Sequence, residues 1–131
     1  MILARETGEK TEMEDISNSS FMPEECMQGD VENFYQEMEK HEAHFKSILD
    51  EANKVGKKLK FVATYENGKA NVGLQQVDSS HDFYHLYGKD NVVLFYTNRY
   101  TGQPLVIKGA GAGAEVTASG VFADIIRAVR I

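Results

Sequence analysis

The sequence predicts an α+β fold in which a mostly antiparallel sheet is combined with a long amphipathic helix and a C-terminal helix. Apolar residues recur at three- and four-residue steps between about 30 and 55, as they do on one face of a helix. Two stretches of alternating polarity flank an Asn-Gly pair, and a second helical stripe follows a glycine-rich run. We therefore expect one sheet from residues 58–77 and 91–108, and helices at about 30–55 and 114–129.

The first long helix carries signals at both ends. Asp30 is a good N-cap, because its carboxylate can accept a hydrogen bond from an unpaired amide of the first turn. Its negative charge is also stabilised by the positive end of the helix dipole. Gly56, followed by lysines, is a typical stop. The apolar stripe comprises Val31, Phe34, Tyr35, Met38, Phe45, Ile48, Leu49, Ala52 and Val55. Before it, residues 3–8 are typical of the last turn of a helix, and residues 9–29 of a connection with one short strand.

The pair Asn67-Gly68 predicts a β-hairpin with a two-residue type I′ turn. Such a turn places Tyr65 opposite Ala70, Ala63 opposite Val72 and Phe61 opposite Leu74. We expect the face that carries these residues to be apolar and the other face to be wet.

Two further strands precede the last helix. The run from Val92 to Tyr96 is apolar on both faces, which is typical of a strand inside a sheet. Leu105–Lys108 is the next strand, and it leads into the run Gly109–Gly113. The apolar stripe of the last helix comprises Val121, Phe122, Ile125, Ile126 and Val129.

Length and composition exclude several classes of protein. The chain has 131 residues, 42% of them hydrophobic and 26% charged, which suits one soluble folded unit. It has no apolar run of about eighteen residues that could span a bilayer, so we expect no membrane insertion. Its formal charge of -6 repels a phosphate backbone and makes nucleic acid an unfavourable partner.

The single cysteine and the histidine pairs do not predict a reactive site. Cys26 cannot form an internal disulfide, and the neighbouring acids Glu24 and Glu25 disfavour a thiolate, so we interpret it as inert. One thiol and the lack of a secretory signal at Met1 predict a cytoplasmic protein. The spacings of His41 with His44 and of His81 with His85 are more typical of a solvated surface than of a metal site, and we expect no metal.

The glycine run lies between a predicted strand and a predicted helix, where backbone amides and small residues favour an anion or a flat ring. It fails the dinucleotide-binding pattern G-x-G-x-x-G, because counting from Gly111 puts Val116 where the third glycine should be. Too few residues follow Gly113 for a helix and a second strand. From spacing alone, a ligand contact and a tight turn are equally good interpretations.

The segment from Gln103 to Ile125, QPLVIKGAGAGAEVTASGVFADI, resembles the C-terminal signature of homoserine dehydrogenases, P-L-V-x-x-G-x-G-A-G-x-x-V-T-A-x-G-V-x-x-D. Five shorter segments resemble the same family in the same order, so the resemblance covers nearly the whole chain. These are LARETG at 3–8, GDV at 29–31, KLKFV at 58–62, DNVV at 90–93 and TNRY at 97–100.

The resemblance implies the activity of the parent protein. Homoserine dehydrogenases interconvert L-homoserine and L-aspartate 4-semialdehyde with NAD or NADP, in the synthesis of threonine, methionine and isoleucine from aspartate. Their nucleotide-binding domain, the lysines assigned to proton transfer and the acids that bind the substrate all precede the segment that resembles this chain. We therefore expect no catalytic residue here and no activity from the isolated chain, and the ending near Ile131 favours a parent fused to an aspartokinase.

The resemblance also assigns a cofactor contact to the last glycine of the loop, which corresponds to Gly113; by adjacency the predicted cofactor-binding residues are Gly111, Ala112, Gly113 and Ala114. Residues 1–113 would end a catalytic and dimerisation domain, and residues 114–131 would form a helix that packs on an absent nucleotide-binding domain. A homodimer or higher oligomer is the expected state, since an apolar helix face that lacks its partner is seldom left exposed to water. The alternative function is a non-catalytic dimerisation or regulatory module that uses the glycines only as a turn.

Overall fold

The computed structural model describes residues 1–129 and confirms an α+β fold. Its contacts divide the chain into two compact units, the first of which is Met1–Tyr84 and the second of which begins at His85. The predicted C-terminal segment is described as far as Val129, and Arg130 and Ile131 lie outside the described residues. Within residues 1–129, no helix combines the length and the apolarity needed to cross a lipid bilayer.

The first unit consists of three helices and a three-stranded sheet. Strand β3 is central, with β1 parallel to it on one side and β2 antiparallel on the other. Short 3-10 turns at Met13–Asp15 and Glu24–Met27 connect the N-terminal part. The elements are α1 (Ile2–Glu6), β1 (Ser17–Ser19), α2 (Val31–Lys40), α3 (Glu42–Lys54), β2 (Lys58–Glu66) and β3 (Lys69–Val77).

The predicted hairpin is confirmed in both its turn and its register. Asn67 and Gly68 have φ angles of 51° and 75°, so both central residues adopt the left-handed conformation that a type I′ turn requires. The strands pair Tyr65 with Ala70, Ala63 with Val72 and Phe61 with Leu74, as the turn predicts.

The prediction that the other face of this hairpin is wet is wrong. Val62 is 6% exposed and Val77 is 4% exposed, whereas Phe61 on the apolar face is 61% exposed. Val62 and Val77 share one face of the sheet, α3 packs against β2, and Ala52 of α3 is fully buried. Buried residues of this unit therefore also lie on the Val62 face, which the alternation of polarity alone marks as wet.

The prediction of one helix over residues 30–55 is also wrong, because the chain breaks into α2 and α3 at His41. The ψ angle of His41 is 16°, far from the value of about −42° in a regular helix. Beyond the break, the His44 ring hydrogen-bonds the Phe21 carbonyl at 2.9 Å, and the Phe45 ring lies edge-on to the Phe21 ring. The first turn of α3 thus makes tertiary contacts to Phe21 directly after the break.

The predicted helix boundaries are confirmed. The Asp30 carboxylate accepts the Asn33 amide hydrogen at 2.9 Å, which caps α2. At the end of α3, Gly56 has a φ of 67°, and the Lys57 amide donates to the Ala52 carbonyl at 2.9 Å. This pairing is the Schellman motif that a glycine at this position favours.

The second unit is a two-stranded sheet followed by a helix. Strand β4 (Asp90–Phe95) is antiparallel to β5 (Leu105–Ala110), and α4 spans Ala114–Val129. The prediction of one sheet built from residues 58–77 and 91–108 is wrong, because these strands form two separate sheets.

The placement of the Val92 to Tyr96 run inside a sheet is wrong as well, since within the described residues β4 pairs only with β5. The apolar pattern of a strand reports what covers its two faces. It does not report how many strands hydrogen-bond to its edges, which is where the prediction failed.

We predict that Gly68→Ala lowers the free energy of unfolding by about 1–2 kcal/mol, because a side chain opposes the left-handed conformation. Gly102→Ala is the matched control, since neither glycine has an atom within 4 Å of an added Cβ and only Gly68 has a positive φ. Denaturant titration followed by circular dichroism measures both variants. Equal stability of the two would contradict the assigned turn.

Candidate functional site

The four residues predicted to contact the cofactor lie in one corner, between the end of β5 and the start of α4. Gly113 directly precedes α4, and its carbonyl accepts the Thr117 amide hydrogen at 3.0 Å. Its φ is 135°, a conformation that side chains rarely adopt, so the backbone itself requires glycine here. The other three predicted residues are exposed and flank it: Gly111, Ala112 and Ala114.

The first amides of α4 point toward this corner. The N–H groups of the first turn have no partner within a helix, and together with the helix dipole they favour an anion or a carbonyl oxygen. Glu115 lies in the same first turn and adds a negative charge to it. An anion that binds here therefore needs a further positive group nearby.

Lys89 supplies that positive group, and sequence reasoning missed it. Its Nζ lies 3.6 Å from the position that a Cβ on Gly113 would occupy. Its carbonyl accepts the Gly111 amide hydrogen at 3.3 Å, which ties the loop to the turn before β4. Among residues 1–129 the ammonium has no carboxylate within ion-pair distance. No pattern in the sequence links residues 89 and 113, because only the pairing of β4 with β5 brings them together.

A second neighbour of the loop is Asn91 on β4. A Cβ on Gly111 would overlap the carboxamide nitrogen of Asn91 and would lie 2.6 Å from its Cγ. A side chain at Gly111 would thus have to displace the exposed Asn91 carboxamide, whereas Gly113 is required by backbone conformation.

The histidines are engaged in separate local contacts. His41 Nε2 lies 4.0 Å from a Glu25 carboxylate oxygen, and His44 hydrogen-bonds a backbone carbonyl. His81 Nδ1 accepts the Phe83 amide hydrogen at 3.1 Å. In the part of the chain that the structure describes, no three histidine, cysteine or acidic side chains converge as ligands of one ion would.

Cys26 lies in the core of the first unit and is 2% exposed. Burial raises the pKa of its thiol, and the carboxylates of Glu37 and Glu25 raise it further. Both effects disfavour the thiolate, which is the nucleophilic form. The geometry therefore supports the interpretation of Cys26 as an inert core residue.

The sequence model of one family, described as homoserine dehydrogenase, matches residues 1–126. The chain belongs to the homoserine dehydrogenase family. The resemblance drawn from the glycine segment and the shorter motifs is confirmed, and the family is one of oxidoreductases that use a nicotinamide cofactor.

Its curated relatives are much longer enzymes. A bifunctional aspartokinase/homoserine dehydrogenase 2 of Zea mays, described as chloroplastic, is 38% identical over 97% of this chain, which spans 14% of that protein. Bifunctional aspartokinase/homoserine dehydrogenase 2 of Escherichia coli is 34% identical over 100% of the chain, which spans 16% of that protein. The chain thus corresponds to a small part of these relatives.

A solved structure has the same fold. The crystal structure of a Candida auris protein of unknown function matches 99% of this chain, with a TM-score of 0.83 and 38% identity. The chain spans 37% of that protein.

We predict that the Cys26 thiol of the folded chain reacts with a maleimide at least about tenfold more slowly than an exposed thiol at the same pH, because burial and a raised pKa both suppress the thiolate. Ser47 is exposed, so the double variant Cys26→Ser/Ser47→Cys is the matched control. The rates are followed by mass spectrometry between pH 7 and 9, a range that includes the ordinary pKa of a thiol. Similar rates for the two thiols would refute the buried placement.

Proposed function

We propose that this chain is the C-terminal part of an enzyme that oxidises L-homoserine to L-aspartate 4-semialdehyde with NAD or NADP. The family match over residues 1–126 supports the reaction, and the Gly113 corner supports a role at the cofactor. When bound, NAD or NADP would supply the acceptor for the hydride that leaves the carbinol carbon of homoserine, and the hydroxyl proton would pass to a base. That base and the residues that bind the substrate belong to other parts of the enzyme.

The observation that carries the role at the cofactor is the combination of Gly113 with Lys89. Because Gly113 has no side chain, a flat ring or a phosphate can approach the backbone amides at the start of α4. The Lys89 ammonium, next to the Cβ position of Gly113, would neutralise a phosphate oxygen there and offset the charge of Glu115. Gly111, Ala112 and Ala114 would keep the approach free of bulky side chains.

The same reasoning makes the isolated chain inactive. Hydride transfer requires a cofactor that is held on both sides and a substrate that is oriented against it, and one glycine loop supplies neither. We propose that residues 1–113 end the catalytic and dimerisation domain and that residues 114–131 form a helix packed on the nucleotide-binding domain. NAD or NADP would bind weakly or not at all to the chain by itself.

The surface of α4 supports a partner. Phe122 and Val129 are 65% and 77% exposed, and the other residues of the stripe, Val121, Ile125 and Ile126, are at least 40% exposed. Such an apolar surface seldom stays in contact with water. We propose that the nucleotide-binding domain covers it in the full-length enzyme and that the isolated chain forms homodimers or higher oligomers. The cytoplasm stays the predicted compartment.

A second candidate function is a non-catalytic dimerisation or regulatory module. This chain spans only a small share of its relatives, and a part of this size could serve assembly alone. The residues encoded before Met1 distinguish the two functions: an acid-rich substrate-binding helix and a nucleotide-binding domain support the enzyme, and an unrelated sequence supports the module.

The proposed reaction is tested with the full-length protein encoded by the gene. We expect homoserine-dependent reduction of NAD or NADP, measured by absorbance, and no turnover above background from residues 1–131 alone. Turnover by the isolated chain would refute the division of labour between the parts. A full-length protein that folds and binds neither cofactor would refute the reaction.

Lys89→Gln in the full-length protein should raise the cofactor KM several-fold with little change in kcat, because it removes a charge that binds the cofactor before and during the reaction. The effect should shrink as salt is added, since ions screen an exposed charge. Lys69→Gln, which removes the same charge from the hairpin turn of the first unit, is the matched control. Equal effects of the two substitutions would contradict a role for Lys89 at the cofactor.

A further inference from the structure

We propose that Asn91 is a positioning residue that fixes the conformation of the glycine loop, so that Gly113 and the start of α4 are held ready for the cofactor. The inference rests on the proposed function, because it assumes that this loop faces the cofactor. It assigns to Asn91 a role that acts through Gly111 and not through contact with the reacting atoms.

The sheet brings Asn91 to the loop. Asn91 pairs with Gly109 across the two strands, and the last pair of the sheet joins Asp90 to Ala110. Beyond it, the Gly111 amide still donates to the Lys89 carbonyl at 3.3 Å. The first residue of the loop is therefore held by β4 before the chain turns into α4.

The Asn91 side chain leans toward Gly111 and not toward Gly109, its partner in the pairing. A Cβ on Gly109 would meet no atom within 4 Å, whereas a Cβ on Gly111 would overlap the Asn91 carboxamide. The carboxamide thus fills the space that a side chain at 111 would need. Two glycines that look equivalent in the sequence differ in this respect, and the difference makes a controlled experiment possible.

Gly111 consequently has a neighbour on each of two sides. The Lys89 carbonyl holds its amide, and the Asn91 carboxamide occupies the space beside its Cα. Residues 112 and 113 then start from a fixed point when they turn toward α4. If this point is loosened, a smaller fraction of molecules has the binding-competent loop, and the apparent affinity for the cofactor falls by that fraction.

The test is a double-mutant cycle in the full-length protein, with cofactor KM, kcat and the midpoint of thermal unfolding as readouts. Asn91→Ala should raise the cofactor KM roughly fivefold at nearly unchanged kcat, because the loop is less ordered before binding. Gly111→Ala should raise it by a similar factor, because the new methyl group pushes the exposed Asn91 carboxamide out of its place. Gly109→Ala, in open space on β5, should leave it unchanged.

The decisive variant is Asn91→Ala/Gly111→Ala. With the carboxamide gone the methyl group has room, so the double variant should be no worse than either single variant, in KM and in unfolding midpoint. Additive losses would overturn the proposal. Changes in the unfolding midpoint without any change of KM across the set would also overturn it, because the contact would then serve folding alone.

The two proposals fail in different ways. If the full-length wild-type protein does not bind NAD or NADP, the proposed function fails before any variant is compared. If the wild type binds the cofactor and the cycle is additive, the proposed function stands and the role of Asn91 is refuted.

Discussion

The backbone of Gly113 sets the direction in which α4 leaves the sheet. Its φ of 135° is open to glycine and strained for other residues, so the corner between β5 and α4 exists only because no side chain is present there. The exposed amides of the first helical turn and the small residues beside them follow from this geometry, and the pairing of β4 with β5 adds Lys89, which directly precedes β4. A bulkier residue would both strain the backbone and block the approach of a ligand.

The corner also explains how a chain with no obvious catalytic group can belong to an oxidoreductase family. The role that we propose for the residues at the loop is to bind and orient the cofactor. The chain spans 14% of its Zea mays relative, and the exposed stripe of α4 is the surface that we propose a further part covers. The proposed division of labour assigns the chemistry to other parts of the enzyme and the closure of the cofactor site to this one.

Local chemistry was predictable from the sequence wherever one or two residues decide the conformation. Asn67-Gly68 determined the turn and hence the whole register of β2 and β3, and Asp30 and Gly56 set the outer ends of α2 and α3. Long-range packing was not predictable in the same way. His44 and Phe45 at the start of α3 contact Phe21, and the periodicity of apolar residues in the helix sequence does not predict that contact. The same holds for the candidate site. Gly113 could be predicted from its motif, whereas Lys89 and Asn91 could be found only from the pairing of two strands in the structure.

A crystal structure of the full-length protein with NAD or NADP bound tests the central claim most directly. Our account requires the cofactor to lie against the backbone from Gly111 to Ala114, with Gly113 in contact and the Lys89 ammonium within reach of a phosphate oxygen. A cofactor bound elsewhere in the protein, with this loop facing solvent or serving only as a turn, would contradict it.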